Sequence, residues 1–177
     1  MKNRHRVSIV ILIIVLFGAC LFYLATLTPN SFGVQYDDSV YVATAKSLAT
    51  GHGYRIISLP YEPAQTKYPP LYPFLLSLIW RVYPQFPENL GWMMMLSVAT
   101  TVAFLTLTYY YLAKHGYATS GQALIVVALT SVNLRIVLLA TTLTSEMLYL
   151  ALSIAALYLA EQFENQQQHH YYCSHQL

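Results

Sequence analysis

The sequence predicts an all-α, polytopic membrane protein with about four transmembrane helices and a large extracytoplasmic first loop that carries membrane-surface helices. Three observations lead there. Of the 177 residues, 56% are hydrophobic and only 9% are charged, against roughly 25% charged in soluble domains. Long apolar runs recur along the chain. All 8 prolines fall between Pro29 and Pro87, in one polar stretch with apolar runs on both sides. The formal net charge of +2 supplies no dense basic patch, so nucleic acid is not an expected partner.

Lys2, Arg4 and Arg6 precede an apolar run from Val7 to Thr28. A signal peptide begins similarly, but its apolar region is only about 7–15 residues. This run approaches the roughly 20 residues a helix needs to cross hydrocarbon. Gly18-Ala19-Cys20 faintly resembles a lipoprotein signal, yet apolar residues continue past the cysteine. An uncleaved first span is therefore expected. Its basic start keeps the N-terminus in the cytoplasm, and Pro29-Asn30 ends it on the far side. Cys20 lies in this run and Cys173 near the other terminus. They match no metal or redox spacing, and no disulfide is expected.

The loop over 29–90 holds two predicted helices. The first begins at Asp37 or Asp38, whose carboxylates can cap free N–H groups, and runs to about Thr50. Tyr41, Ala45, Leu48 and Ala49 share one face at helical spacing, which suits a helix lying flat on a membrane. Gly51 and Gly53 stop it. Pro69-Pro70 opens the second, Leu71 to Val82, which is too short to cross a bilayer. Trp80 and Arg81 suit an interface, and Pro84 and Pro87 end the element.

Further spans are expected at about 91–112, 122–140 and 143–160. Lys114 and His115 fall in a cytoplasmic turn. Thr141 to Ser145 forms the tip of a tight helical hairpin, which places Arg135 and Glu146 on the outer side. Charges in apolar surroundings mark functional sites by default. From Glu161 the sequence turns polar, and residues 161–177 are expected to be a disordered cytoplasmic tail. His169, His170, Cys173 and His175 could hold a metal only adventitiously. No metal site and no cofactor are expected.

The chemistry is sought at the outer face. Asp37, Asp38, Glu62, Lys67, Arg135 and Glu146 can gather there, with His52 and Arg55 joining them and Tyr41 and Tyr68 alongside. The arrangement suits a lipid-linked phosphate donor, whose chain stays in the bilayer while its head sits at the surface. An aspartate could take the proton of an attacking hydroxyl. Lys67 or Arg135 could offset charge on the leaving phosphate. Pro69-Pro70 would stiffen the backbone just after Lys67. Each residue also has a plain reading. Paired aspartates cap helices, Lys67 and Arg55 anchor anionic lipid, and Glu146 caps a helix or pairs with Arg135. Tyr41 and Tyr68 pack, and His52 turns between two glycines. Only their joint placement on one face points to chemistry.

At these residues the chain resembles the N-terminal part of a GT-C-type integral membrane glycosyltransferase. The protein mannosyltransferases and the lipid A aminoarabinose transferase are the nearest in character. The resembling motifs are Asp37-Asp38-Ser39-Val40-Tyr41, Ser47 to Tyr54, Lys67 to Pro73 and Thr144-Ser145-Glu146, in that order. The resemblance covers about residues 7–160, although the family usually has Asp-Glu where Asp37-Asp38 stands. It implies Asp37 as catalytic base with Asp38 in support, Lys67 at the lipid phosphate and Glu146 facing the cavity; by their placement on the same face, Tyr41, Tyr68, Arg55, His52, Arg135 and Glu62 are expected as further substrate-binding residues. The implied reaction is inverting transfer of a hexosyl or pentosyl group from a polyprenyl-phosphate sugar to a hydroxyl acceptor, without metal, at the outer side of a bacterial inner membrane. Family enzymes have many more spans. The chain is thus expected to be a fragment, a truncated product or one part of an assembly with further transmembrane segments or subunits. The alternatives are a non-catalytic membrane scaffold and, less favoured, a transporter fragment.

Overall fold

The structure, a computed structural model, describes the backbone of residues 2–174 and the side chains of residues 6–164 other than Ser31. Among these residues the chain is all-α: α1 (Lys2–Ala25), α2 (Tyr36–Ala49), α3 (Leu71–Val82), α4 (Leu90–Lys114), α5 (Ser120–Ser131), α6 (Leu134–Thr141) and α7 (Glu146–Ser174). A 3-10 turn, Pro29–Ser31, joins α1 to α2. α4 is the axle of the bundle and packs against α1, α3, α5, α6 and α7.

α1 and α4 are long and apolar enough to cross a membrane, over Arg6–Ala25 and Leu90–Lys114. The segment expected as one crossing at 122–140 is broken. α5 and α6 meet at 64° and make a third crossing only if taken together. The apolar part of α7 falls short of the expected fourth span among the described residues. Glu146 and Glu161 bracket only residues 147–160, about 21 Å of helix against a hydrocarbon layer of about 30 Å.

The break frees a backbone carbonyl, and α1 satisfies it. The buried hydroxyl of Tyr23 donates to the Ser131 carbonyl at 2.7 Å. In hydrocarbon such a group has no water to turn to. Asn133 completes the junction by accepting the Arg135 N–H at 3.0 Å. The hairpin expected between the third and fourth segments is correspondingly loose, because α7 packs chiefly along α4 rather than α6.

At one end of the bundle, α2 and α3 form a layer across α4. Tyr41, Val42 and Ala45 of α2 pack with Tyr72, Leu76 and Trp80 of α3 and with Leu90, Met93 and Met94 of α4. Fully burying side chains of this kind stabilises by about 1.5–3 kcal/mol each. Trp80 is thus a core residue, stacked on Phe86 at 5.9 Å, and not the interface anchor expected from sequence. The bounds of α3 agree with the expectation. Pro73 fits its first turn, where an N–H would have no intrahelical partner.

α2 stops where expected. Gly51 adopts φ of 85°. The His52 N–H reaches the Ser47 carbonyl at 3.0 Å and the Gly51 N–H reaches Leu48 at 3.4 Å, the Schellman arrangement. Its start differs. The N-cap is Gln35, without a side-chain cap. Asp37 and Asp38 lie inside the first turn, where negative charge still favours the helix dipole.

The opposite end of the bundle is closed by a polar cluster. Glu161 accepts from the Tyr111 hydroxyl at 2.6 Å and the Tyr117 hydroxyl at 3.0 Å. Its other oxygen lies 3.1 Å from Nδ1 of the buried His115. Lys114 donates to the Tyr158 hydroxyl at 2.6 Å. The stretch expected to be a disordered tail instead begins as an anchored turn of α7, and the helix continues to Ser174. Its Glu and Gln residues are good helix formers. The side chains of His169, His170 and Cys173, and all of His175, lie outside the described residues.

Tyr23→Phe removes the donor to Ser131 and leaves a buried carbonyl unpaired. It should destabilise the protein by about 1–3 kcal/mol, measured by denaturant titration in detergent micelles. A second expectation concerns pH. The Tyr111 phenol, helped by Tyr117 and His115 and opposed by partial burial, holds the Glu161 carboxyl below its usual range. A depressed carboxylate stabilises fully above its unfolded value, about 4.3, and that contribution is lost as pH falls through the folded value. Amide protection around 158–161 should therefore weaken as pH falls below that unfolded value. Glu161→Gln should remove that pH dependence in hydrogen exchange.

Candidate functional site

The first turn of α2 and the segment before α3 meet at the α2–α3 end of the bundle. A turn at Gly33, with φ of 88°, brings the chain back over the start of α2, so that the Gly33 N–H bonds Asp38 Oδ2 at 2.8 Å. Asp38 is buried, and its Oδ1 has no protein partner among the described residues. It fixes the entrance to α2. Asp37, one residue earlier, is left half-exposed.

The Tyr68 hydroxyl donates to Asp37 Oδ1. Lys67 Nζ lies 3.7 Å from that same oxygen. It also lies over the Tyr68 ring at 4.6 Å and the Tyr36 ring at 5.9 Å. Asp37 Oδ2 has no partner among the described residues and is the oxygen available to a ligand. The segment that carries Lys67 and Tyr68 is held by its backbone. The Lys67 N–H bonds the buried Gln65 side chain at 2.9 Å, and the Tyr54 hydroxyl donates to the Tyr68 carbonyl at 2.7 Å.

Tyrosines carry the site across to α7. The Tyr41 ring lies 4.8 Å from Tyr68 and 5.1 Å from Tyr72. The Tyr41 hydroxyl pairs with Ser145 Oγ at 2.8 Å, just before Glu146 opens α7. Burial raises the Tyr41 phenol first, and the charges of Glu146 and Asp37 add to it. One phenol thus feels the charge of both carboxylates. Beside it is a cleft of about 220 Å³ with Ser145 and Glu146 on its wall and Pro69, Leu71, Leu148 and Leu152 as its apolar lining.

No protein-family model matches the chain, and no curated protein or solved structure shows significant similarity to it.

The candidate residues therefore rest on geometry, and they divide into two groups. Asp37, Lys67, Tyr68, Tyr41 and Glu146 are drawn together, with Asp38 behind them. His52, Arg55, Glu62 and Arg135 are not. His52 follows the far end of α2, about 20 Å along the helix from Asp37, and accepts or donates at Nδ1 to Thr50 at 2.9 Å. Arg55 is occupied by the Glu62 carbonyl at 3.1 Å, within a small hairpin where Tyr61 and Glu62 take positive φ. Arg135 sits at the start of α6, displaced by the α5–α6 break, and makes no ion pair with Glu146 among the described residues. Ser145 and Tyr54 are structural members that the sequence reading placed in resembling motifs without giving them a role at the site. The signal for Ser145 was its place directly before the Glu146 helix start.

The Lys67 ammonium is held above its usual range, first by the Tyr68 phenol and then by Asp37 and Tyr36, against a smaller opposing effect of desolvation. Tyr68→Phe should let it fall. Acylation of Lys67 near pH 9–10, just below the usual lysine value of about 10.4, should then rise by roughly a few-fold, as read by peptide mass spectrometry.

Proposed function

We propose that the chain is a membrane glycosyltransferase fragment of the GT-C type. It moves a sugar from a polyprenyl-phosphate donor to a hydroxyl acceptor at the extracytoplasmic face. The observation that carries this reading is Asp37 and Lys67 side by side, 3.7 Å apart, and linked through Tyr68 and Tyr41 to Ser145 on the wall of an apolar cleft between α3 and α7. A base and a phosphate-compensating cation are what such a transfer requires of the protein.

In this reading α1, α4 and the bent α5–α6 pair are crossings, and α7 packs back along α4 beside them. Lys2, Arg4 and Arg6 hold the N-terminus in the cytoplasm, and the α2–α3 layer lies on the outer leaflet. The donor chain runs in the bilayer beside Leu148 and Leu152, with its phosphate near Lys67. The acceptor oxygen attacks the anomeric carbon. Its proton passes to Asp37 Oδ2, while the bond from that carbon to the phosphate oxygen breaks. The polyprenyl phosphate leaves with its added negative charge facing Lys67. Tyr68 holds the other oxygen of Asp37 and so presents Oδ2 to the acceptor.

The openness of the site favours a second reading, a non-catalytic scaffold or an inactive truncated enzyme. The Asp37 and Lys67 side chains are 45% and 67% exposed, and the cleft of about 220 Å³ is smaller than the roughly 300–1,000 Å³ of ordinary ligand pockets. In the transferase reading the missing walls are the bilayer and neighbouring membrane segments.

Asp37→Asn separates the two. With the chain reconstituted in inner-membrane vesicles and supplied with labelled polyprenyl-phosphate sugar, the transferase reading expects transfer to fall by about 10²–10⁴-fold, with membrane insertion unchanged. Transfer at the original rate in that variant removes Asp37 as the base.

A further inference from the structure

Apart from Arg6 and Arg135, the cations whose side chains the structure describes are engaged. Lys46 lies 5.8 Å over the Trp80 ring, Lys67 meets Asp37, and Lys114 donates to Tyr158. Arg55 and Arg81 donate to the carbonyls of Glu62 and Leu48. Arg135 is different. Its backbone N–H is used by Asn133, but its side chain is exposed and has no partner among the described residues. Around it Leu129, Val132, Leu134 and Leu138 are exposed by 66%, 68%, 73% and 42%. A single cation is set in an apolar face that nothing among the described residues covers.

With α5 and α6 taken as one bent crossing, depth decides what Arg135 can meet. The capping box of Thr119 and Gln122 starts α5 at a polar turn. From there α5 rises about 18 Å, within a hydrocarbon layer of about 30 Å. Arg135 follows in the first turn of α6 and is still inside that layer. Helical Cα–Cβ bonds lean toward the N-terminus. The Cα–Cβ bond of Arg135 therefore leans back toward the break rather than toward the surface that α6 approaches. Reaching lipid head groups on that side runs against this lean. An intramembrane cation in such a position ordinarily meets a carboxylate or a carbonyl of a neighbouring helix. Glu146 does not fill that role, because it lines the cleft between α3 and α7.

We propose that the exposed face of α5–α6 is a docking surface for a membrane-spanning helix of another polypeptide, one that carries an aspartate or glutamate at the depth of Arg135. The apolar residues supply van der Waals contact, which does not discriminate strongly between partners in lipid. The Arg135–carboxylate pair supplies the selection. The bidentate geometry available to a guanidinium suits a carboxylate. This surface does not depend on sugar transfer, so the docking can fail while the transferase reading stands, and the reverse.

The test uses the full chain, fluorescently labelled and reconstituted in phosphatidylcholine vesicles with a synthetic Leu/Ala transmembrane peptide that carries one central Asp. A second peptide carries Leu at that position. Energy transfer should show several-fold stronger association with the Asp peptide. Arg135→Leu and Arg135→Gln should each abolish that preference, and Arg135→Lys should keep part of it. Equal association of the two peptides overturns the proposal. So does a preference that survives Arg135→Leu. Enrichment of phosphatidylglycerol around Arg135, read from spin-labelled lipid, with no peptide preference, assigns the residue to lipid head groups and also overturns it.

Discussion

Seating a polar surface layer on an apolar bundle is the constraint on which the rest depends, and paired hydroxyls at buried positions meet it. Tyr72 of α3 reaches Ser97 of α4 at 3.0 Å, and Tyr41 of α2 reaches Ser145 at the head of α7 at 2.8 Å. Tyrosine suits the task because its ring packs as an apolar body and its hydroxyl still finds a partner. The Tyr41, Tyr68 and Tyr72 rings touch in series. Without these contacts the α2–α3 layer would have only non-directional apolar burial to hold it, and Asp37 would have no fixed relation to Glu146.

The same economy of polar groups governs the interior. The α5–α6 break would leave a carbonyl stranded, and Tyr23 from α1 reaches it across the bundle. α1 is therefore more than a greasy anchor. One face is exposed through Val10, Ile14 and Phe17, while Leu12, Ala19 and Tyr23 are buried against its neighbours. A broken helix inside a membrane is tolerated when its freed groups are met by protein. At the α5–α6 break the Tyr23 phenol and the Asn133 side chain meet such groups, while the Arg135 side chain has no partner among the described residues.

α7 links the two ends. Its first residues touch the candidate site, and Glu161 fastens it to Tyr111, Tyr117 and His115 at the other end. These contacts hold α7 along α4 at both ends of its apolar part. The position of Ser145 beside Tyr41 is consequently tied to a cluster about 24 Å away along the helix. A carboxylate that accepts several hydrogen bonds is a stronger fastening than neutral pairs alone provide.

Much of this was legible in local chemistry. Composition determined the all-α, membrane-type character. Gly51 determined the end of α2, because only a residue at ease with positive φ closes that turn, and Pro69-Pro70 marked the start of α3. The tertiary structure decided the remainder. Asp37 and Lys67 are 30 positions apart, and no sequence period reports that Tyr68 will join them on one oxygen. The break after Ser131 has no glycine or proline to mark it, only the polar residues Thr130, Ser131, Asn133 and Arg135 scattered through an apolar run. It stands because Tyr23 arrives from 108 residues away. His52 and Arg55, close to Asp37 in sequence, are carried off by the length of α2. Local propensity and patterning are written residue by residue; which distant side chains share a space depends on packing, and only the folded chain resolves it.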